Sequence, residues 1–344
     1  MANSLLMVGN FLSAAVGNRG VCEELAERLA SEGWSVFTTS SRRSRIARLP
    51  DMLSTAWQKR RCYDVAQVDV FSGPSFVWAE AAAWVLRRAR KPYVLTLHGG
   101  ALPSFARRWT NRTRHLLQSA AAVTAPSRYL MESMQNYRPD LRLIPNGIEL
   151  QRYPYRCRNP VEARLIWLRA FHGMYDPVLA VRTLALLRQR GRPAALTMIG
   201  PDKGDRSLDR AGAAACTLGI AGHVRFVGAV PKAQVGRWID QGDIFLNTTT
   251  VDNMPVSILE AMACGACIVS TSAGGIPHLL QEGHNALLVE PGDASGMAAA
   301  VERLLDDHHL AAFLSRNARE DSAAFDWSRV IPQWHALLRS VTCD

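Results

Sequence analysis

Short apolar strands alternate with amphipathic helices along most of this chain, and the alternation begins twice. The first series opens with an apolar strand at 5–8, a glycine-containing loop at 9–20 and a helix at 21–31. The second opens with the apolar segment 165–168. Strands that alternate with helices form a parallel sheet covered by helices on both faces. The sequence therefore predicts an α/β protein of two doubly wound, Rossmann-like domains.

The predicted strands are short and buried, and helical segments separate them. In the first series they are 5–8, 34–38, 65–71, 93–97, 122–125 and 141–144. In the second they are 165–168, 195–200, 224–227, 244–247 and 267–271, with helices at 177–190, 208–218, 232–241 and 294–305. Two such domains are expected to direct the carboxyl ends of their strands toward a central cleft, where ligands bind.

Domain boundaries are predicted from breaks in this pattern. Two prolines and three arginines interrupt it at 149–162, where we expect the linker. The predicted domains are 1–155 and 156–325. A last segment, 326–344, begins a new predicted helix, which need not pack in the core of the second domain.

Composition is that of a folded protein with two cores, because the chain has 344 residues of which 48% are hydrophobic and 20% charged. No apolar run approaches the roughly 20 residues of a membrane-spanning helix, and the N-terminus lacks the basic region of a signal peptide. Cys264 and Cys267 are spaced as Cys-x-x-Cys but run from a helix end into a buried strand. We therefore expect seven reduced, mostly core thiols in a cytoplasmic protein.

Positive charge concentrates in the first half. Residues 1–150 carry 20 Lys and Arg against 11 Asp and Glu, a net +9, whereas residues 151–344 carry 20 against 19, a net +1. Trp57, Trp84 and Trp109 lie among the basic clusters. The pattern fits a solvated basic face, an anionic membrane surface or an anionic acceptor. A peripheral location on the inner face of the membrane is consistent with it, whereas no nucleic-acid-binding motif is present and no nucleic acid partner is expected.

The first half offers two ligand-binding candidates. The loop at 9–20 lacks the Gly-x-Gly-x-x-Gly pattern, and no acidic residue ends the second strand, which argues against NAD. It still places Gly17 and Asn18 at a helix N-terminus, which attracts phosphate, although a plain turn is the alternative. His98 follows the strand 93–97, where an imidazole can bond a sugar hydroxyl or transfer a proton.

The second half offers positive charge after two strands. Arg169 follows the strand 165–168, and its forked guanidinium suits a diphosphate. Lys203 follows the strand 195–200 and could add a second positive charge. Surface salt bridges are the alternative for both.

The segment 252–275 combines a site with its scaffold. Asp252 precedes a short apolar helix and can accept sugar hydroxyls, Pro255 suits the first helical turn, and the amides of 253–257 are expected to point into the cleft. Glu260 lies in the second turn, where a carboxylate is costly without a partner, and a ribose diol is a natural one. The alternative is a capping acid and a partly exposed glutamate.

These residues resemble the signature of retaining nucleotide-sugar glycosyltransferases of the GT-B fold, family 4. That signature has two glutamates eight positions apart, followed by Ala-Met-Ala-x-Gly. Weaker similarities are the loop at 9–20, His98-Gly99, Pro126-Ser127, 143–148, Arg169, Val227-Gly228 and 325–327. The resemblance implies transfer of a sugar from a nucleotide-diphosphate sugar to an acceptor, expected to be a lipid-linked glycan or polysaccharide precursor. It implies no cofactor and no metal ion, and a last helix that returns to the first domain.

The resemblance also implies residue roles. The catalytic group would be His98, Asp252 and Arg169. The donor-binding group would be Gly17, Asn18, Arg169, Lys203, Val230, Asn253, Met254, Pro255, Val256, Leu259 and Glu260. Two positions depart from the family pattern: Asp252 is one methylene shorter than glutamate, and Met174 replaces a lysine. A nucleotide-sugar epimerase on the same fold and a non-catalytic sugar-nucleotide-binding protein are the alternatives.

Overall fold

The computed structural model describes residues 4–12 and 20–343, which form two compact units. The first unit contains the chain up to Gly147 and again from Trp327 onward. The second is Ile148–Asp326. Each unit is built around its own parallel sheet with helices on both faces, as the alternating pattern predicts.

The sheet of the first unit has the strand order β2-β1-β3-β4-β5-β6, and every neighbouring pair is parallel. Its strands are β1 (Ser4–Val8), β2 (Ser35–Thr39), β3 (Val65–Val70), β4 (Tyr93–Leu97), β5 (Ala122–Ala125) and β6 (Arg142–Leu143). Because β2 lies on one side of β1 and β3 on the other, the winding direction reverses there. Ligands of such sheets bind beyond the carboxyl ends of the strands near this reversal.

Helices cover both faces of this sheet. They are α1 (Val21–Ser31), α2 (Arg45–Gln58), α3 (Phe76–Arg88), α4 (Leu102–Arg108), α5 (Thr110–Gln118), α6 (Arg128–Met134) and α13 (Trp327–Cys343). Apolar residues of α1 and α13 pack with β1 and β3 in one cluster. Those of α2 to α6 pack in the cluster on the other face. The last helix of the chain therefore belongs to the core of the first unit.

The second unit repeats the plan with the strand order β12-β11-β10-β7-β8-β9, again wholly parallel. Its strands are β7 (Arg164–Leu168), β8 (Ala195–Ile199), β9 (Val224–Gly228), β10 (Ile244–Asn247), β11 (Cys267–Thr271) and β12 (Leu287–Val289). Its helices are α7 (Pro177–Gln189), α8 (Ser207–Thr217), α9 (Val235–Asp240), α10 (Val256–Ala263), α11 (Ala294–Asp306) and α12 (His308–Ser322). The winding reverses beside β7, between β10 and β8.

The segment 149–162, predicted as the linker, is packed within the second unit. Arg158 is fully buried there, with its guanidinium 3.2 Å from Asp240 and 3.8 Å from Asp243. The unit boundary accordingly falls after Gly147, before the predicted position at 155. Composition did not predict this packing, because Arg158 is buried among ion pairs and Arg156 pairs with Asp243 over 2.8 Å.

Within the described ranges, none of the helices has both the length and the apolarity needed to cross a lipid bilayer.

Candidate functional site in the second unit

The carboxyl ends of two paired strands bring Arg169 and Asp252 together. Strands β7 and β10 are neighbours; Arg169 directly follows β7, and Asp252 lies on the loop after β10. The Arg169 guanidinium bonds the Asp252 carboxylate, and each side chain is 14% exposed. This ion pair gives the loop a fixed position relative to the sheet, because one of its side chains is anchored on a strand end.

Arg169 has further contacts that fix its guanidinium. Its Nη1 lies 3.4 Å from Oγ of Ser257, in the first turn of α10. The guanidinium also stacks over the ring of Tyr175, with 4.0 Å between its central carbon and the ring centroid. Its Nε is buried without a hydrogen-bond partner among the described residues. A held cation with an unused donor is suited to an anionic ligand.

Gly274 and Gly275 allow another loop to pack closely against Asp252 and Asn253. A Cβ on Gly274 would lie 2.2 Å from the carbonyl oxygen of Asp252, and one on Gly275 would lie 2.0 Å from that of Asn253. The backbone N–H of Gly275 donates to the Asp252 carbonyl over 2.9 Å. The glycine pair therefore supports the loop that carries the acidic residue.

Helix α10 begins at Val256, so Pro255 is its N-cap and not part of its first turn as predicted. Asn253, Met254 and Pro255 are buried before the helix, and Val256 is half-buried. Asn253 donates its N–H to the Asp252 carboxylate over 2.8 Å. Leu259 is fully buried in the hydrophobic core, which gives its side chain a packing role. Of this group, Val256 is the one best exposed for ligand contact.

Glu260 is almost fully buried, and one of its carboxylate oxygens accepts two hydrogen bonds. The Lys232 ammonium lies 2.5 Å from Oε1, and the Tyr153 hydroxyl donates to the same oxygen over 2.9 Å. The cost of burying this carboxylate, anticipated from the sequence, is thus offset by groups of the protein itself. Ser257 and Glu260 are three residues apart on one helix and share a face, so Arg169 and Lys232 flank the same face of α10.

Lys203, Val230 and Met174 lie on other loops of the unit. Lys203 is exposed, and its backbone N–H donates to the Phe171 carbonyl over 3.2 Å. Val230 is half-buried and packs against the core that contains α10. Met174 lies in a 3₁₀ turn, Gly173–Tyr175, and its carbonyl accepts from the Thr250 amide over 2.8 Å. None of the contacts described for these three brings them to Arg169 or Glu260.

The turn that carries Met174 is fixed by an acid of the next loop. Asp205 accepts from the Gly173 N–H over 2.8 Å and from the Ser207 N–H over 3.1 Å. These bonds, the one from Gly173 first, lower the pKa of Asp205 to about 2.

The described cysteines are all free thiols, but fewer are buried than predicted. Burial above all raises the pKa of Cys264 and of Cys267 to about 12, which makes both unreactive. Cys62 and Cys216 are exposed, so the expectation of mostly core thiols is wrong. No cluster of three or more His, Cys, Asp or Glu side chains that could hold a metal ion occurs in the part of the chain that the structure describes.

In the first unit, His98 directly follows β4, and its Nε2 lies 3.0 Å from Oδ1 of Asp69 on β3. Gly17 and Asn18 lie outside the described residues. Asp69, Lys232 and Tyr153 were not predicted from the sequence. A buried carboxylate at Glu260 signalled that a partner existed, but nothing in the spacing identified Lys232, 28 positions earlier.

Two family models match complementary parts of the chain. One is described as glycosyl transferases group 1 and matches residues 166–307, and the other as glycosyltransferase family 4 and matches residues 20–152. Together they cover every strand except β1 and the first two residues of β7, and they include Arg169, Asp252 and Glu260.

Curated relatives carry transferase names. The chain is 30% identical over 229 residues to TuaC of Bacillus subtilis, named for teichuronic acid biosynthesis, covering 65% of this chain and 57% of that protein. It is 27% identical over 300 residues to the phosphatidyl-myo-inositol mannosyltransferase of Mycolicibacterium smegmatis, covering 83% and 73%. The chain thus spans between about half and three quarters of the length of these two proteins.

Solved structures share the whole fold. Sucrose-phosphate synthase from Thermosynechococcus elongatus superposes with a TM-score of 0.80 at 19% identity, covering 99% of each chain. HepE from Anabaena, in complex with UDP and glucose, has a TM-score of 0.79 at 18% identity, covering 98% of this chain and 100% of that one. The fold is therefore GT-B, and the chain belongs to the group 1 and family 4 glycosyltransferases.

Proposed function

We propose that this protein transfers a sugar from a nucleotide-diphosphate sugar to a hydroxyl acceptor, with retention of configuration and without a metal ion. The observation that carries the proposal is the arrangement along one face of α10. Arg169 contacts Ser257 in the first turn, and Glu260, one turn later, pairs with Lys232. Two cations, Arg169 paired with Asp252 and Lys232 paired with Glu260, flank this helix face and offer donors to a diphosphate and acceptors to a ribose.

Each part of the donor has a matching group in this proposal. Arg169 and the amides at the start of α10 stabilise the diphosphate, which gains charge as it leaves. Glu260 accepts from the ribose hydroxyls, and Asp252 accepts from the sugar. Lys232 supplies the positive charge that the family pattern would place at Met174, a role predicted for Lys203. HepE has been crystallised with UDP and with UDP-glucose, which makes uridine nucleotides the first donors to test.

The proposed reaction replaces one bond at the anomeric carbon by another on the same face. The bond from that carbon to the diphosphate oxygen breaks as the bond from the acceptor oxygen forms. The acceptor proton passes to the departing phosphate oxygen. Arg169 is suited to this step because it is fixed before the donor arrives and needs little reorganisation.

For the acceptor, we propose a lipid-linked glycan or a cell-surface polysaccharide precursor. The names of the relatives support this class, since one refers to teichuronic acid biosynthesis and another to a phosphatidyl-inositol acceptor. Such acceptors lie at a membrane, and one face of the first unit has a matching composition.

The tryptophan–arginine face is formed by three half-exposed tryptophans and the arginines stacked on them. Trp57, Trp84 and Trp109 are 46%, 53% and 45% exposed. The distances from guanidinium to ring centroid are 4.4 Å for Arg60 on Trp57, 5.0 Å for Arg88 on Trp84, and 5.9 Å for both Arg108 and Arg112 on Trp109.

All three tryptophans lie on the helical layer formed by α2 to α5, on one side of the first sheet. Residues 42–114 hold 15 Lys and Arg against 4 Asp and Glu, a net charge of +11. Tryptophan beside positive charge is the composition that anionic lipid headgroups attract. We therefore assign this face to the inner membrane surface.

The proposed transfer is tested by binding and turnover together. A thermal-shift screen against nucleoside diphosphates identifies the base, because a bound nucleotide stabilises the folded state. The matching nucleotide sugars are then followed for release of the nucleoside diphosphate, and the anomer formed is read by NMR. Stabilisation by at least one nucleotide and turnover of its sugar conjugate are expected. A folded protein that binds and turns over none of them would contradict the proposal.

A further inference from the structure

Asp69 and His98 meet at the carboxyl edge of the first sheet. Strands β3 and β4 pair in parallel, with Asp69 opposite Thr96 and Val70 opposite Leu97. The backbone N–H of His98 then donates to the Val70 carbonyl over 2.8 Å, which extends the pairing by one residue. The position of His98 is therefore set by the sheet, and its side chain lies beside Asp69, the acidic residue of β3.

The imidazole is fixed on two sides. Its Nε2 lies 3.0 Å from Oδ1 of Asp69, and the two side chains are 14% and 5% exposed. The ring of Phe71 stacks on it, with 4.9 Å between centroids and 18° between planes. An edge contact and a face contact together leave the ring little freedom to flip.

The carboxylate of Asp69 is itself built into the unit. The Gln67 amide donates to its Oδ1 over 2.8 Å and to the Thr96 hydroxyl over the same distance. A Cβ at residue 9 would lie 2.6 Å from its Oδ2, so Gly9 is needed for the opening loop to pass. Burial first, and then the negative charge of Asp69, raises the pKa of the Cys22 thiol. The Gln67 donor, the close approach of Gly9 and the raised pKa of the Cys22 thiol are therefore all consequences of contact with the Asp69 carboxylate or of burial beside it.

We propose that Asp69 is a positioning residue for His98, which keeps the imidazole proton on Nε2 so that Nδ1 is the acceptor for a hydroxyl of the reacting sugar. A carboxylate can only accept, so the nitrogen that contacts it carries the proton. The lone pair of the neutral ring is then on Nδ1. The catalytic part of this inference rests on the proposed sugar transfer, whereas the tautomer does not.

The tautomer is tested by NMR of protein labelled with ¹⁵N-histidine, at a pH well above the ordinary titration of histidine. The His98 signals are assigned by their loss in His98→Gln. In the unsubstituted protein we expect the Nε2–H pattern alone. In Asp69→Ala we expect a mixture of both tautomers, and Asp64→Ala is the matched control, because its carboxylate bonds Ser4 at the other end of β3. An unchanged His98 pattern in Asp69→Ala would overturn the proposal.

The catalytic consequence is tested by a double-mutant cycle. Asp69→Ala should lower kcat by about 10- to 100-fold, the effect typical of residues that orient a functional imidazole. The KM for the donor should change little. In a His98→Ala background the same substitution should have no further effect. Equal losses in both backgrounds would mean that Asp69 acts independently of His98.

Where Asp69→Ala does not fold, Asp69→Asn keeps the side-chain shape and carries the same measurements. A wild-type tautomer together with an additive effect on kcat in Asp69→Asn would contradict the proposal. Because the NMR measurement needs no substrate, a failure of the proposed transferase activity leaves the tautomer result readable.

Discussion

Lys232 lies 2.5 Å from the almost fully buried carboxylate of Glu260, and both belong to the second unit. The Tyr153 hydroxyl donates to the same oxygen over 2.9 Å. The carboxylate proposed to bind the ribose is thus already held by two donors of the protein. Binding of a nucleotide would add to this arrangement on the face of α10 that Arg169 also approaches.

Lys232→Ala should lower the free energy of unfolding by about 1 to 3 kcal/mol, because it leaves Glu260 buried without its cation. Breaking a fully buried pair costs about 3 to 5 kcal/mol. The smaller value is expected because the Lys232 side chain is 19% exposed. Urea denaturation measures the difference. Lys203→Ala, which removes an exposed lysine of the same unit, should change stability by less than about 0.5 kcal/mol; equal effects of the two substitutions would argue against the ion pair.

Glu260→Gln should weaken nucleotide binding by about 10- to 100-fold, since a hydrogen bond to a charged group contributes about 1.5 to 3 kcal/mol. Calorimetry with the nucleoside diphosphate found in the thermal-shift screen measures this. The control is Glu302→Gln, because Glu302 pairs with Arg190 over 2.7 Å elsewhere in the unit. An affinity unchanged in Glu260→Gln would rule out the ribose contact.

Gly275→Ala should weaken donor binding and lower stability by about 1 to 3 kcal/mol, the usual cost of overpacking. The new methyl group would displace Asn253, whose carbonyl would lie 2.0 Å away, and with it the neighbouring Asp252. Gly212→Ala is the matched control, since its Cβ meets nothing within 4 Å and its position is inside α8. There alanine should stabilise the protein by about 0.5 to 1 kcal/mol. Chemical denaturation and nucleotide calorimetry on both variants separate the two effects.

Asp205 should contribute stability that depends on acid pH. Its pKa is lowered from 3.8 to about 2 in the folded protein, first by the bond from the Gly173 amide. Its contribution is therefore fully present above the unfolded value and is lost as the pH falls through about 2. The melting temperatures of Asp205→Asn and the unsubstituted protein should differ at neutral pH and converge as the pH falls from 3.8 to about 2. A difference in melting temperature that stays constant over this pH range would exclude this carboxylate as the source.

How far the sequence predicted the structure depended on whether a feature is local. Strands β4, β5, β10 and β11 have the predicted bounds, because turns or helix ends flank each apolar run. The predicted helix 232–241 is instead a 3₁₀ turn followed by the shorter α9. The apolar periodicity correctly predicted a helical backbone at 232–241, but it could not distinguish a 3₁₀ turn from an α-helix.

The sequence predicted the site residues that follow strand ends. It did not predict the contacts between site residues that are distant in sequence. Arg169 and Asp252 could be placed together because both follow strands of one sheet. Lys232 contacts Glu260 across 28 positions, and Asp69 contacts His98 across 29. Asp69 reads in the sequence as a polar interruption of a strand, and its partner emerges only from the register of β3 and β4.

The tryptophan–arginine face should bind anionic lipid vesicles in a salt-sensitive manner. Replacing Trp57 and Trp84 together by alanine should reduce the bound fraction by removing the side chains that enter the interface. Replacing Arg60 and Arg88 by glutamate should reduce it further at low salt, since each basic residue near the surface contributes about 1 kcal/mol. Sedimentation with phosphatidylglycerol vesicles, against neutral phosphatidylcholine vesicles, measures both effects.

The matched control for this surface is Phe313→Ala, which removes a 43% exposed aromatic side chain from the second unit. It should leave vesicle binding unchanged, because the net charge near it is small and it lies outside the helical layer of α2 to α5. Raising the salt concentration should release the unsubstituted protein, as screening shortens the range of the attraction. Binding that survives high salt and both sets of substitutions would place the membrane contact elsewhere on the protein. Binding that is lost with the substitutions at low salt would identify α2 and α3 as helices that bring the chain to its acceptor.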